Sequence, residues 1–276
     1  MKVDLDGVPE TALWTLYHRA REARRSDALL DDPMAIDLVD RIDFPFAERF
    51  GAGFPAQTQL LALRVRAFDG AIRSFLRARP QGTVVALGEG LETQFWRVDN
   101  RELTWLTVDL PRSIEIRKRL LPMGPRQVTH AGSAIESSWM DKVGSPEGVL
   151  VTAQGLLMYL AETDVRRLLA ALAQRFPGGQ MVLDTVPAWM AKAVSRASAS
   201  ATGYRPPPMP WTIDSSAWKS LGDIHPNIVD VTEVTSPPGR GIIGWMSPRM
   251  NRFPVLRHHR PGVVRLTFGD LSRSQR

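Results

Sequence analysis

Val84-Val85-Ala86-Leu87-Gly88-Glu89-Gly90-Leu91-Glu92-Thr93 is followed, twelve residues on, by Trp105-Leu106-Thr107-Val108-Asp109. A buried strand, a two-glycine turn, a helix start and a second strand ending in an acid make a nucleoside-binding βαβ unit. Asp109 lies 21 residues after Gly88, close to the ~20 residues at which such folds bring a carboxylate to a ribose hydroxyl. Glycine lets a ligand come close to the backbone because no Cβ stands in the way.

Outward from this unit, short apolar runs at 83–87, 103–108, 126–130, 148–153 and 180–186 alternate with helical patterns at 91–99, 111–121, 135–142 and 162–176. Such alternation predicts a mostly parallel sheet covered by helices on both faces. Upstream, residues 11–25, a segment from Met34 and a long stretch from about Gln57 to Arg79 carry helical spacing, with a break at Gly51-Ala52-Gly53-Phe54-Pro55. Downstream, Ile228 to Val234 and Val263 to Phe268 are predicted as the last two strands. The chain therefore divides into a helical cap over residues 1–80 and a core over 81–276, with a lid insertion at about 187–226.

Composition narrows the function. There are no cysteines, which excludes disulfides, thiolate nucleophiles and cysteine-based zinc sites. Histidines and acids do not fall at metal-ligand spacing, so no metal is expected. No apolar run approaches the ~18 residues of a membrane span, and the N-terminus lacks the pattern of a secretory signal; cytoplasmic residence is the default. The net charge is +6, and from Arg240 onward eight arginines face one acid, Asp270. With no accompanying motif, this basic segment is expected to be a solvated surface and not a nucleic-acid site.

Several cofactors use such a sheet. No Gly-Lys-Ser/Thr follows Gly90, which argues against a phosphate loop, and Thr93 stands where a dinucleotide fingerprint has its third glycine. Glu89 and Glu92 would repel a pyrophosphate but suit a sulfonium cation. S-adenosylmethionine, with ribose, adenine, an amino acid and a positive sulfur, fits these residues best.

The segment Leu87 to Arg97 resembles the Gly-x-Gly-Leu-Asp-Thr-x-x-x-Arg signature of the leucine carboxyl methyltransferase superfamily. Val108-Asp109-Leu110-Pro111, Ser133 with Ser138-Trp139-Met140, and Gln154-Gly155-Leu156-Leu157-Met158-Tyr159-Leu160 are similar to its later motifs, and Glu10 through Asp32-Pro33 resembles a polyketide O-methyltransferase branch. The resemblance implies a Rossmann-like class I methyltransferase fold, α/β with a mostly parallel seven-stranded sheet. It also implies S-adenosylmethionine as methyl donor and S-adenosylhomocysteine as product. Carried over by residue, Asp109 takes the ribose and Arg64 the methionine carboxylate. Gly88, Glu89, Gly90 and Leu110 lie against the cofactor, Ser133 and Ala134 contact adenine, and Gln154 and Gly155 close the amino-acid end. Gln154 departs from the family, which usually has an acid there, and Glu89 replaces a small residue.

A phenol or alcohol acceptor gains from a general base, whereas a carboxylate needs none. His18 and Tyr17 are the catalytic candidates, although a histidine on this helix is expected at the surface. Tyr17, Arg19, Tyr159, Tyr204 and Trp211 are candidates for binding the acceptor, a polyketide-like or other small molecule. Two further readings stand beside methyl transfer: an NAD(P)-dependent oxidoreductase on a similar sheet, and a non-catalytic protein that retains the cofactor fold. A homodimer is left open.

Overall fold

The computed structural model describes residues 10–51, 55–144, 148–201, 204, 206–241, 244 and 258–269. Four helices come first: α1 (Glu10–Ala23), α2 (Pro33–Arg41), α3 (Phe46–Phe50) and α4 (Pro55–Ala78). The α/β part follows as β1 (Thr83–Leu87), α5 (Gln94–Val98), β2 (Thr104–Asp109), α6 (Pro111–Leu120), β3 (Gln127–Ala131), β4 (Val149–Ala153), α7 (Glu162–Arg175), β5 (Gln180–Thr185), α8 (Ala188–Ala201), β6 (Ile228–Val234) and β7 (Gly262–Phe268). The seven strands form one sheet in the order β3-β2-β1-β4-β5-β7-β6. The first five are parallel, and β7 runs antiparallel to both β5 and β6.

β1 and β4 lie inside the sheet and are mostly apolar, broken only by Thr83 and Thr152, because both of their faces are covered. Successive side chains alternate between faces. Val84 and Ala86 meet Phe68, Ile72 and Phe75 of α4, whereas Val85 and Leu87 meet Trp139 and the Val165–Leu168–Leu169–Leu172 stripe of α7. α4 thus serves as one of the sheet's covering helices. The N-terminal helices build a third cluster in which Leu13, Leu16, Leu38, Phe46 and Phe50 pack on Leu91 and on Ile116 and Leu120 of α6. This cluster seats the helical cap on the glycine turn.

Four departures from the sequence expectations have local causes. α3 lies inside a segment without marked periodicity; its five residues are held by the aromatic cluster around Phe46 and Phe50. The helix expected at 91–99 starts only at Gln94, because the turn before it is tied down by side chains. The segment expected as helix 135–142 is a short 3-10 turn over Ser138–Lys142. The insertion at 187–226 contains α8 and a second 3-10 stretch, Ser215–Ile224, whose Trp218 is buried with its indole N–H on Thr185 Oγ1 at 3.0 Å. Its last third is therefore part of the core and not a loose lid.

Candidate active site

The strand order reverses between β1 and β4, and the carboxyl ends of the strands there frame the crevice where open α/β sheets bind ligands. The glycine turn occupies this point. Gly88 has φ +61° and Gly90 φ +53°, the left-handed region where an L side chain is strained. Space forbids one as well: a Cβ on Gly88 would come within 2.8 Å of Leu156, and one on Gly90 within 2.8 Å of Ala12 in α1.

Asp109 ends β2 beside this turn. Its Oδ2 accepts from the Gly90 amide and its Oδ1 from the Leu110 amide, both at 2.7 Å. Burial raises its pKa, and these backbone bonds pull it back. The Ser113 hydroxyl donates to it as well, so three of the roughly four acceptor positions of the carboxylate are filled and one is left for a ribose hydroxyl. The next turn is docked here too: the Gly132 amide bonds the Asp109 carbonyl at 2.9 Å, and the Trp139 indole bonds the Ala134 carbonyl at 3.1 Å. Ser133 and Ala134 are thereby brought to the same side as Asp109.

Arg64 projects from α4 to the end of β4. Its Nη1 donates to Asp184 Oδ2 at 2.8 Å, and Asp184 Oδ1 accepts the Gly155 amide at 2.7 Å. A Cβ on Gly155 would stand 3.2 Å from Arg64 Nη1, so glycine makes room for the guanidinium. Two buried polar atoms of the residues around it have no hydrogen bond: Arg64 Nε, a donor, and Gln154 Oε1, an acceptor. Asp184, absent from the sequence expectations, is the residue that aims Arg64; its only signal in the chain is an acid at the end of an otherwise apolar strand.

Glu89 requires a correction, because its carboxylate does not face the crevice. Oε1 accepts from Arg117 Nη2 at 2.6 Å, and Oε2 accepts from Thr107 Oγ1 at 2.6 Å and the Trp105 indole at 3.2 Å. Trp105 and Thr107 share one face of β2, so Glu89 reaches back along the sheet. Burial pushes its carboxyl up, and Arg117 and these bonds pull it back. Arg117 also donates to the carbonyls of Gly90 at 2.9 Å and Glu92 at 2.6 Å. The pair therefore fastens the glycine turn from beneath.

Arg19, expected at the acceptor, is likewise a buried structural group. It bonds Glu92 Oε2 and the Leu91 carbonyl and lies 3.3 Å from Asp32. Glu92 Oε1 accepts from Arg97 Nη2 at 2.8 Å, and Arg97 continues to Asp32 and Asp69, both at 2.9 Å. Burial works against the Glu92 charge, but Arg19 and Arg97 outweigh it and bring its pKa down to about 2. Asp32 also caps α2 through the Ala35 amide at 3.0 Å. Both glutamates of the turn are thus neutralised by arginines. The contrast drawn from sequence between a repelled pyrophosphate and a tolerated sulfonium loses its basis.

His18 is fully buried and not a surface residue. Its Nδ1 is 3.2 Å from Thr58 Oγ1 on α4, and Trp14 packs edge-on at 4.8 Å. Burial, with Arg21 nearby, lowers its pKa to about 4, so it is a neutral element of the α1–α4 contact. Tyr17 stacks on Phe46 at 5.6 Å, and Tyr204 meets Phe50 edge-on at 5.0 Å, which joins both tyrosines in one aromatic cluster over the turn. Burial raises the Tyr159 phenol to about 12, with Arg64 and Asp184 close by. Trp211 does not join them: it is buried in the sheet core, its amide on the Met158 carbonyl at 3.3 Å.

Much of the basic C-terminal segment lies outside the described residues. Of its arginines, Arg240 is paired with Glu22 and Arg260 with Glu233. His259 Nδ1 stands 3.0 Å from Asp214 Oδ2. No group of three or more His, Asp or Glu among the described residues is placed to hold a metal ion. No described helix is long and apolar enough to cross a membrane.

Residues 12–173 match the family of leucine carboxyl methyltransferases. The chain belongs to this family. It is 32% identical over 188 residues to the tetracenomycin polyketide synthesis O-methyltransferase TcmP of Streptomyces glaucescens, covering 68% of this chain and 69% of that one. It is 27% identical over 194 residues to the S-adenosyl-L-methionine-dependent methyltransferase dpfgK of Gibberella zeae, covering 63% of each. The chain thus spans about two thirds of the length of these relatives. Its fold is that of the class I methyltransferases: a Thermobifida fusca protein assigned as a methyltransferase superposes with TM-score 0.54 at 12% identity, over 92% of this chain and 94% of that one. Nothing in these likenesses supports a nicotinamide-dependent oxidoreductase.

Proposed function

We propose that this member of the family transfers a methyl group from S-adenosylmethionine to a carboxylate oxygen of a small, polyketide-like molecule. The observation that carries the cofactor assignment is the pair of buried, unbonded polar atoms, Arg64 Nε and Gln154 Oε1, of the residues around Gly155. A donor on Arg64 and an acceptor on Gln154 complement the carboxylate and ammonium of an α-amino acid, and Asp109 has an acceptor position left for a ribose hydroxyl. Gly88, Gly90, Leu110, Ser133 and Ala134 would line the nucleoside between them. Glu89, Arg117 and Arg19 hold the turn and do not touch the cofactor.

The bound cofactor supplies an activated methyl: a C–O bond forms as the C–S bond breaks, and the electron pair leaves on sulfur. The protein's task is then to align an oxygen with the methyl carbon and to exclude water. The acceptor class follows from the bases available. His18 is locked in the α1–α4 contact with a pKa of about 4, and the Tyr159 phenol titrates only near about 12. His130 and His225 lie at the β3 edge and in the turn before β6, and His259, paired with Asp214, is half-exposed just before β7, which β4 and β5 separate from β1 and the glycine turn. A carboxylate is ionised at neutral pH and needs no proton removed. The aromatic cluster of Tyr17 and Tyr204, with Tyr159, would cover the acceptor, and the polyketide link of TcmP fits a flat aromatic body.

The test is transfer of a labelled methyl from S-adenosylmethionine to a panel of aromatic polyketide acids and their phenolic counterparts. The proposal expects label in acids, released by mild alkali as methanol. Alkali-stable label would mean ether formation and would overturn the carboxylate assignment.

A further inference from the structure

Gln154 is a neutral residue facing a charged ligand end, and its amide can be inserted in either of two orientations. Glu92 selects one. Gln154 Nε2 donates to Glu92 Oε2 at 3.0 Å, and Oε1, buried, has no hydrogen bond. The Glu92 carboxylate is itself held on several sides: by Arg97 at 2.8 Å, by the Thr93 amide at 2.9 Å and by Arg19. A carboxylate only accepts. Turning the amide over would set its carbonyl against a fixed negative charge.

From this geometry we propose that Glu92 is a positioning residue for cofactor binding, holding the Gln154 amide so that its carbonyl oxygen accepts from the ammonium of S-adenosylmethionine. The inference rests on the cofactor reading given above. A carboxylate at 154 would lie about 3 Å from Glu92, and like charges at that distance force one of the two to take up a proton. Glu92, its charge balanced by Arg19 and Arg97, acts by fixing the orientation of the amide.

The experiment is calorimetric titration of the full chain with S-adenosylhomocysteine and, in parallel, with methylthioadenosine, which lacks the amino-acid end. Gln154→Ala should weaken S-adenosylhomocysteine about 10-fold or more, as loss of a hydrogen bond to a charged group does, and leave methylthioadenosine unchanged. Glu92→Gln should weaken S-adenosylhomocysteine alone, and should add no further loss in the Gln154→Ala background. Equal weakening of both ligands by Glu92→Gln, or an undiminished effect in that background, would overturn the proposal, since Glu92 would then act only through the fold. Gln154→Glu leaves the arginine network intact and provides a readout that does not depend on the stability of Glu92→Gln. The added carboxyl should be protonated in the free protein and release part of a proton when S-adenosylhomocysteine binds, seen as a buffer-dependent enthalpy. No proton release would place residue 154 away from Glu92 and overturn the proposal. Failure of both ligands to bind the unaltered protein would instead remove the cofactor reading itself.

Discussion

Glu89→Gln removes one charge from the middle of the glycine turn with little change of shape. The Glu89–Arg117 pair is buried, each side chain 2% exposed, with 2.6 Å between Oε1 and Nη2. Withdrawing one partner of a buried pair costs about 3–5 kcal/mol, because the other charge is left uncompensated in a low dielectric. The substituted amide can still accept from Thr107, which puts the expected loss near the lower end, about 3 kcal/mol. That is a large share of the about 5–15 kcal/mol that holds a typical domain folded. Arg117→Met should cost more, since the carbonyls of Gly90 and Glu92 also lose their donor. The double variant should fall short of the summed single losses by about 2–3 kcal/mol, the coupling expected of groups in direct contact. The assay is urea unfolding followed by tryptophan fluorescence, with far-ultraviolet circular dichroism as a second probe. Glu89→Gln within about 0.5 kcal/mol of the parent, with no coupling to Arg117, would refute the buried pair and return Glu89 to the crevice.

Stability should fall on acidification through His18 between about pH 6.5 and 4. His18 has its pKa lowered from 6.5 to about 4, so the unfolded chain takes the proton first. The stability from keeping it neutral is complete above about pH 6.5 and is lost towards pH 4, about 3 kcal/mol in all. Glu92, lowered to about 2, contributes above about 4.5 and loses its share only below that; His18→Phe should therefore flatten the pH 4.5–6.5 limb of a stability curve and leave the acid limb. Gly90→Ala meets both a positive φ and the Ala12 Cβ 2.8 Å away; limited proteolysis should show α1 released from the turn, and an unchanged digestion pattern would contradict the packing. Asp184→Asn should weaken S-adenosylhomocysteine several-fold by loosening Arg64 while sparing methylthioadenosine, and equal effects on both ligands in calorimetry would contradict that role.

The strands were legible because parallel strands buried on both faces leave short, mostly apolar runs such as Val149–Ala153, and their alternation with helices predicts a mostly parallel sheet, not the order of its strands. Asp109 comes from the motif, and Arg64 and Gln154 from the resemblance; the structure sets Asp109 at the end of β2, Gln154 just after β4 on the other side of β1, and brings Arg64 of α4 to Gly155. What the chain did not disclose is where its charges point. Glu89, Glu92, Arg19 and Arg117 look alike on paper to solvent-facing or ligand-facing groups. Their burial depends on a meeting of α1, the glycine turn and α6; Arg19 and Glu92 alone are 73 residues apart in sequence. His18 was misplaced for the same reason: one-helix periodicity does not reveal that α4 covers it. Trp211 enters the sheet core and not a pocket wall, and an aromatic in an irregular segment carries no sign in the sequence of which core it joins. The acidic turn pointed to a cation-bearing cofactor on an electrostatic argument that the arginines cancel; the family match and the amino-acid clamp at Gly155 support the same cofactor on other grounds.

Calorimetric titration of the full chain and of Asp109→Ala with S-adenosylhomocysteine, with NAD as the control ligand, bears most directly on the nucleoside site at the strand ends. The account predicts one S-adenosylhomocysteine per chain, no heat from NAD, and loss of most of the affinity in Asp109→Ala. An Asp109→Ala variant that binds as tightly as the parent, or a parent that prefers NAD, would contradict it.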